Sequence, residues 1–463
     1  MAVLLGPSGV GLIGIYGSIT GLIAQVAGMG IGASGVRQIA EASGSNDSVK
    51  VARTAITLRR ASLFLGVLGM LTLVFLREPI CRLTFGNTEH AGALGMLAVS
   101  LFLGAVSAGQ GALVNGMRRI GDLARLSIFG ALFGLLASVP FVWFFGERGI
   151  APFLVTVSAM GLLASWWYAR KITIEKIRIP WREMAPEARA LLRLGVVFMA
   201  SGLMTMGTMY LIRVLVVRQL GLDAAGLFQA SSAIASLYVG FILSAMGADF
   251  YPRLTEVSKD NNLSNRMVNE QTEVSLLLAV PGILGTLTFA PYVIQVFYSA
   301  KFTPAMDILR WDLLGILLRV GSWPMGFILL AKGKGKIFFW TELAANIVYL
   351  GLAFILLQCF GLPGAGMAFF GLYLLCWTLM FFVVKRVSGF SLSKANRKLY
   401  AVILPVISIV FLSGYFLSFP INMLISITVT IIISIYFLRM LTITIGVNQW
   451  RKFLSQIKQK LTK

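Results

Sequence analysis

Charged side chains inside long apolar stretches are the residues of this sequence best placed to do chemistry. Arg213 follows the Met-rich stretch FMASGLMTMGTMYLI, and Arg319 lies near the middle of the apolar stretch 308–331. An ionisable group at membrane depth is costly unless it faces a wet cavity or a partner. A guanidinium binds phosphate or pyrophosphate through paired hydrogen bonds. We therefore expect Arg213 and Arg319 to bind an anion. The alternative for Arg213 is that its side chain extends to the outer interface near Arg218.

The stretch 308–331 places further candidates on one helical face. Asp312, Gly315 and Arg319 fall at i, i+3 and i+7, and Trp323 follows one turn later. As a binding site, Arg319 would hold the anion, and Trp323 or Trp311 would offer a flat surface to a sugar ring. As a packing feature, Arg319 and Asp312 would form an internal ion pair. The sequence leaves both interpretations open.

Acidic residues near the ends of apolar stretches are candidates for coupling or gating. Glu342 lies about one turn inside the stretch 337–357, where it could take up protons or pair with Lys336. Asp249, in GADFYPRL, lies at the inner end of its stretch and is expected to act at a gate or an interface. Arg310 and Asp307 are expected at the outer interface.

Common enzyme signatures are absent from the sequence. It contains no GxxxxGK[ST] phosphate loop and no GxSxG nucleophile turn. Its three cysteines, Cys81, Cys359 and Cys376, have no CxxC spacing, and the single histidine, His90, leaves no metal-ligand set and is expected in a solvated loop. We therefore predict no catalytic residue, no metal and no cofactor, and we predict that the protein is not an enzyme.

Composition indicates a polytopic membrane protein in which helices position these charges. The chain has 463 residues, 57% of them apolar and only 13% charged, with a mean hydropathy of +0.84. Thirteen spans of about 20 residues are predicted. They lie at 9–31, 61–77, 93–115, 126–145, 149–169, 191–217, 225–247, 273–298, 308–331, 337–357, 363–384, 398–418 and 420–441.

Basic residues predict the orientation of these spans. Most of the 40 Lys and Arg residues lie in alternate loops and in the tail, which the positive-inside rule assigns to the cytoplasm. The net charge of +22 is spread over these loops instead of forming one patch, so no nucleic-acid partner is predicted.

One segment occurs twice and divides the chain. Residues 5–43 and 220–258 align without a gap and share ten identical positions, including the pair Gly6 and Gly221. We predict an N-terminal bundle at 1–175, a C-terminal bundle at 176–386, and an extra hairpin with a basic cytoplasmic tail at 387–463. The second copy follows the span 191–217, whose counterpart would end near residue 2. The first bundle is therefore expected to lack its opening helix; the alternative is that the family begins here.

Several segments resemble a known family in order along the chain. GVGLIGIY with GVRQIAEA, the turn FGNTEHAG, and SAKFTPAMDILRWDLLGILLRVG with GFILLAK and TELA resemble the Wzx-type polysaccharide flippases of the MATE-like MOP exporter superfamily. The resemblance implies two related helix bundles in a V around a central cavity. It also implies transport of an undecaprenyl-pyrophosphate-linked oligosaccharide from the inner to the outer leaflet of the bacterial inner membrane. Implied partners are this lipid-linked oligosaccharide, membrane lipids, a polysaccharide polymerase and a chain-length regulator.

Two other functions are kept as alternatives. A cation-coupled multidrug exporter of the same superfamily would need acidic and aromatic cavity residues, whereas the charges buried here are mainly basic. A membrane glycosyltransferase or polymerase acting on the same lipid carrier would need catalytic groups in a long outer loop, and no predicted outer loop is long enough.

Overall fold

All regular elements in the described part of the chain are helical. The computed structural model describes residues 2–44, 47–175, 177, 185–417 and 419–445. The predicted all-α polytopic membrane fold is confirmed. The helices are α1 (Ala2–Ala27), α2 (Ile31–Gly44), α3 (Ser48–Phe85), α4 (Ala91–Gly116), α5 (Ile120–Phe145), α6 (Ile150–Ala169), α7 (Ala185–Ala245), α8 (Tyr251–Glu256), α9 (Asn261–Thr288), α10 (Ala290–Phe297), α11 (Ala305–Ala331), α12 (Gly335–Phe360), α13 (Pro363–Ser388), α14 (Lys394–Phe416) and α15 (Phe419–Ile445).

Among the described residues, nine helical segments are long and apolar enough to cross a membrane, or ten when the bent pair α9 and α10 is counted. That pair bends by 84° at Phe289. The segment Ile120–Ala169, counted once, consists of two helices separated by a 3-10 turn at Gly146–Gly149, where two spans were predicted. The count of thirteen spans stays a prediction.

The chain forms two compact units, Met1–Gly226 and Leu227–Lys463. The first contains α1 to α6 and the first part of α7, and the second contains the remaining helices. The predicted boundary at 175 was drawn from the repeat and that at 386 from the extent of the family resemblance, whereas these units group helices by contact. Both boundaries stay predictions. Most of the predicted basic tail, 446–463, lies outside the described residues.

The repeat seen in the sequence has a structural counterpart at its first glycine. Gly6 has φ 69° and ψ −169°, and Gly221 has φ 87° and ψ 179°. This region of backbone space is open almost only to glycine. Each copy of the repeat therefore begins with a helix that is kinked at the same position.

Small residues let α1 approach α7 closely within the first unit. A Cβ added to Gly11 on α1 would lie 2.5 Å from the backbone oxygen of Leu222 on α7. One added to Gly30, in the turn after α1, would clash with the backbone oxygen of Gly195 on α7. Close approach through small residues is the usual basis of helix contact in membranes, where lipid offers no hydrophobic drive. The first part of α7 consequently packs along α1.

Helix α11 forms the core of the second unit and is buried on nearly all sides. A helix that is apolar all round is expected in such a position. Its C-terminal end packs in a cluster with Phe250, Leu254, Val268, Val384 and Phe390.

Within the second unit, hydrogen bonds attach the extra hairpin, α14 and α15, to α9 and α11. Asn396 Nδ2 donates to the backbone oxygen and Oδ1 of Asn269, at 2.9 Å and 3.0 Å. Asn269 Oδ1 also accepts from the backbone of Ser393 at 2.8 Å. At the other end of α14, Arg310 Nη1 reaches the backbone oxygen of Gly414 at 3.5 Å.

Candidate functional site

Arg319 lies between aromatic rings in the second unit. Its guanidinium carbon is 5.3 Å from the ring centre of Trp323 and 5.7 Å from that of Tyr373. Its Nε is buried and has no hydrogen-bond partner among the described residues. Helix α11 supplies Arg319 and Trp323 one turn apart, and α13 supplies Tyr373. The second unit therefore holds a guanidinium inside the helix bundle, and its Nε–H group remains available to donate a hydrogen bond.

Glu342 provides the acidic member of this cluster. It lies half-buried on α12, and its carboxylate interacts electrostatically with Arg319. No ion pair with Lys336 is present in the described part of the chain, and Lys336 is exposed. The ion pair with Lys336, one of the two interpretations from the sequence, is therefore not formed between these described residues.

Asp312 and Arg319 do not form the ion pair that was one of the two interpretations. The Ser231 hydroxyl donates to Asp312 Oδ2 at 2.7 Å, and both residues are buried. Seven residues along a helix correspond to about 10 Å, which is too far for two side chains of one rigid helix to meet easily. Asp312 therefore connects α11 to α7 and lies apart from the Arg319 cluster.

Arg213 contacts α1 within the first unit. Its Nη1 donates to the backbone oxygen of Gly14 at 2.5 Å and also to Ser18 Oγ. These contacts stabilise the packing of α1 on α7, which neither interpretation from the sequence anticipated. Arg213 and Arg319 belong to different compact units, and a shared role in anion binding stays a prediction.

The remaining candidates serve surface or packing positions. Asp249 is exposed in a π-helical turn, Met246–Phe250, and its Oδ2 lies 3.0 Å from Arg253 Nη1. Exposed pairs of this kind contribute only about 0–1 kcal/mol. Trp311 packs against Phe411, with ring centres 4.9 Å apart, and does not contact Arg319.

Arg310 is buried near the start of α11, and its expected position at the outer interface stays a prediction. Its side chain is 9% exposed and lies 3.7 Å from Asp307 Oδ1. Its guanidinium carbon lies 5.2 Å from the ring centre of Tyr415 on α14. Arg310 is a contact to the extra hairpin, whose packing could not be inferred from α11 alone.

His90 is half-buried, although a solvated loop position was expected. Its Nδ1 lies 2.9 Å from the Tyr16 hydroxyl, and its ring centre is 4.2 Å from that of Phe85. Burial lowers the pKa of His90, while the charges of Glu89 and Glu147 oppose the shift. The neutral imidazole is therefore the form that this packing favours.

Sequence reasoning missed two residues that complete these contacts. Tyr373 lies in an uncharged apolar span, 363–384, where polar groups are few. Ser231 lies in ASSAIAS, which reads as a small-residue packing segment. A hydroxyl within an apolar span is the signal that could have suggested either residue.

The chemistry of this cluster, formed by Arg319, Trp323, Tyr373 and Glu342, suits an anion that is bonded to a ring such as a sugar. A guanidinium accepts a phosphate through parallel hydrogen bonds, and aromatic faces can stack on a flat partner. Within the described residues, no group of three His, Cys, Asp or Glu side chains could hold a metal ion. The arrangement is suited to binding and release.

Similarity to solved structures indicates the fold class of the protein. An inward-facing multidrug resistance MATE family transporter of the MOP superfamily aligns with a TM-score of 0.71 at 16% identity, covering 84% of this chain and 93% of that one. The lipid II flippase MurJ aligns with a TM-score of 0.63 at 15% identity, covering 94% and 98%. The chain therefore has the fold of a MOP-superfamily transporter.

The family follows from the sequence itself. Residues 1–307 match the family model described as "Polysaccharide biosynthesis protein", so the chain belongs to that family. The lipid III flippase of Escherichia coli (strain K12) is 24% identical over 391 residues, covering 82% of this chain and 91% of the relative. A putative O-antigen transporter of Shigella flexneri is 23% identical over 374 residues, covering 79% and 87%.

Proposed function

We propose that this membrane protein is a flippase for lipid-linked oligosaccharides. The substrate is an undecaprenyl-pyrophosphate-linked, O-antigen-type repeat unit, and the protein moves it from the inner to the outer leaflet of the bacterial inner membrane. The observation that carries the proposal is Arg319, a cation with an unpaired Nε held between two aromatic rings in an apolar bundle. The names of the relatives support the same substrate class.

The cluster suggests how the lipid carrier is held. Arg319 binds the pyrophosphate, because a guanidinium can donate two parallel hydrogen bonds to it. Trp323 or Tyr373 stacks against the first sugar. Glu342 loses its positive neighbour when the anion occupies Arg319, and we propose that it takes up a proton at this step. Coupling of transport to protons would then pass through Glu342.

The polar contacts of Arg213, Asp312 and Asp249 support other roles. We propose that Arg213 and Asp312 fix helices to each other and that Asp249 acts at an inner gate or surface. A polysaccharide polymerase and a chain-length regulator remain proposed protein partners.

A cation-coupled drug exporter is the second candidate, because a MATE transporter shares the fold. Proteins with the same fold transport different substrates, so the substrate class must be inferred from the chemistry of the site. An organic cation would meet the positive charge of Arg319 at close range. The basic cluster therefore favours an anionic substrate over a cationic one.

Complementation of a flippase-deficient strain tests the proposed function. We expect the chain to restore surface polysaccharide and to leave resistance to cationic drugs unchanged. Increased drug resistance without surface polysaccharide would instead support the exporter. A membrane-inserted chain that changes neither readout would contradict both assignments.

A further inference from the structure

A groove lies between the two helices of the extra hairpin. Its volume is about 270 Å³, and it opens where α14 begins. Apolar and aromatic side chains form its walls: Leu399, Val402, Tyr436 and Met440. The proposed substrate cluster belongs to α11, α12 and α13, so the groove is a separate feature of the molecule.

Two lysines line the same groove. Lys394 and Lys398 are one helical turn apart on α14, and both are exposed. In the described ranges, neither side chain has an ion-pair or hydrogen-bond partner. Two positive charges thus lie beside an apolar surface at the end of a membrane span.

The hairpin itself carries no acidic side chain that could neutralise these lysines. Residues 343–463 contain eleven Lys and Arg residues and neither Asp nor Glu. This stretch includes α12 after Glu342, all of α13 to α15, and the basic tail. Helix α9, which packs against α14 and α15, carries Glu270 and Glu273. In the described part of the chain, however, Glu270 pairs with Arg266, and neither glutamate forms an ion pair with either of these lysines. Both lysines are therefore available to an anion.

We propose that this groove binds an anionic glycerophospholipid. The phosphate lies against Lys394 and Lys398, and an acyl chain follows the apolar walls formed by Leu399 and Val402. Basic residues at a membrane interface attract anionic headgroups while their aliphatic stems remain against apolar surface. The positive-inside rule predicts the cytoplasmic side for this end of α14. The partly exposed walls open the groove to the bilayer, where phospholipid is the abundant anion.

Native mass spectrometry of the delipidated full-length chain tests this site. Phosphatidylglycerol and phosphatidylcholine are the probes, titrated separately. We expect one phosphatidylglycerol to bind preferentially, and the double variant Lys394→Gln with Lys398→Gln to bind it at least about tenfold more weakly. Arg397→Gln with Arg439→Gln removes the same charge from the same hairpin outside the groove and should change binding less than about twofold.

Three results would overturn the site. Equal weakening in both double variants would mean that binding follows diffuse charge alone. Val402→Trp keeps both lysines and fills the groove, so unchanged phosphatidylglycerol affinity in this variant would show that the groove is not used. Displacement of phosphatidylglycerol by equimolar undecaprenyl pyrophosphate would assign the groove to the transported lipid instead. Thermal unfolding of each variant verifies that it is folded.

Discussion

Two aromatic rings lie beside Arg319, and Glu342 interacts with it electrostatically, which explains how a guanidinium is kept inside an apolar bundle. Cation–π contacts with Trp323 and Tyr373 contribute about 0.5–2 kcal/mol each, and Glu342 supplies an opposite charge. The buried Nε still has no acceptor in the part of the chain that the structure describes. A phosphate oxygen would complete this hydrogen-bond set.

Asp312 illustrates a buried charge with a different role. Asp312→Ala leaves the Ser231 hydroxyl without its partner, so we expect a loss of about 1–3 kcal/mol in the free energy of unfolding. Asp312→Asn keeps an oxygen acceptor and should retain most of the stability and most of the transport. Thermal unfolding in detergent and surface polysaccharide in the complemented strain measure the two effects. Abolished transport in a stable asparagine variant would assign Asp312 to the substrate site instead.

For the helices, the sequence predicted their positions along the chain better than the contacts between them. The apolar length of 308–331 and 363–384 was sufficient to predict α11 and α13, because span length is fixed by the bilayer. The merging of two predicted spans into the kinked α7 was not predicted, since a glycine turn can either bend a helix or end it. Tyr373 was missed because contacts between helices are not encoded in the pattern of either helix alone.

The Asn396 contacts predict that the hairpin is fixed to the second unit by a few buried hydrogen bonds. Asn396→Ala removes two donor contacts to Asn269 and should lower the free energy of unfolding by about 1–3 kcal/mol. Asn262→Ala, at an exposed position on α9, is the matched control. Thermal unfolding compares them, and equal stability of the two variants would show that the Asn396 hydrogen bonds do not hold the hairpin.

The burial of His90, in the loop before α4, predicts that the stability of the protein depends on pH. Burial lowers the pKa of His90 in the folded protein, so the unfolded chain binds the proton more readily and stability falls as the pH drops below the usual histidine pKa of about 6.5. Wild-type protein should lose thermal stability between about pH 7 and pH 5. His90→Gln should lose less over the same range. Parallel pH profiles for the two proteins would contradict this role of His90.

For the whole molecule, the family resemblance and the fold agree, and membrane orientation is the next property to test. Positive-inside asymmetry predicts that Asn87 faces outward and Lys334 faces the cytoplasm. In a cysteine-free background, an impermeant thiol reagent added outside cells should label Asn87→Cys and spare Lys334→Cys. The reverse labelling pattern would contradict the predicted orientation.

Transport in reconstituted vesicles tests the central claim most directly. Lipid-linked pyrophosphate oligosaccharide should cross the bilayer when the wild-type chain is present. Arg319→Lys should retain partial transport because it keeps the charge, and Arg319→Ala should reduce transport at least about a hundredfold. Arg266→Ala, which removes an exposed arginine on α9, is the control and should transport normally. Normal transport by a folded Arg319→Ala protein would contradict the account.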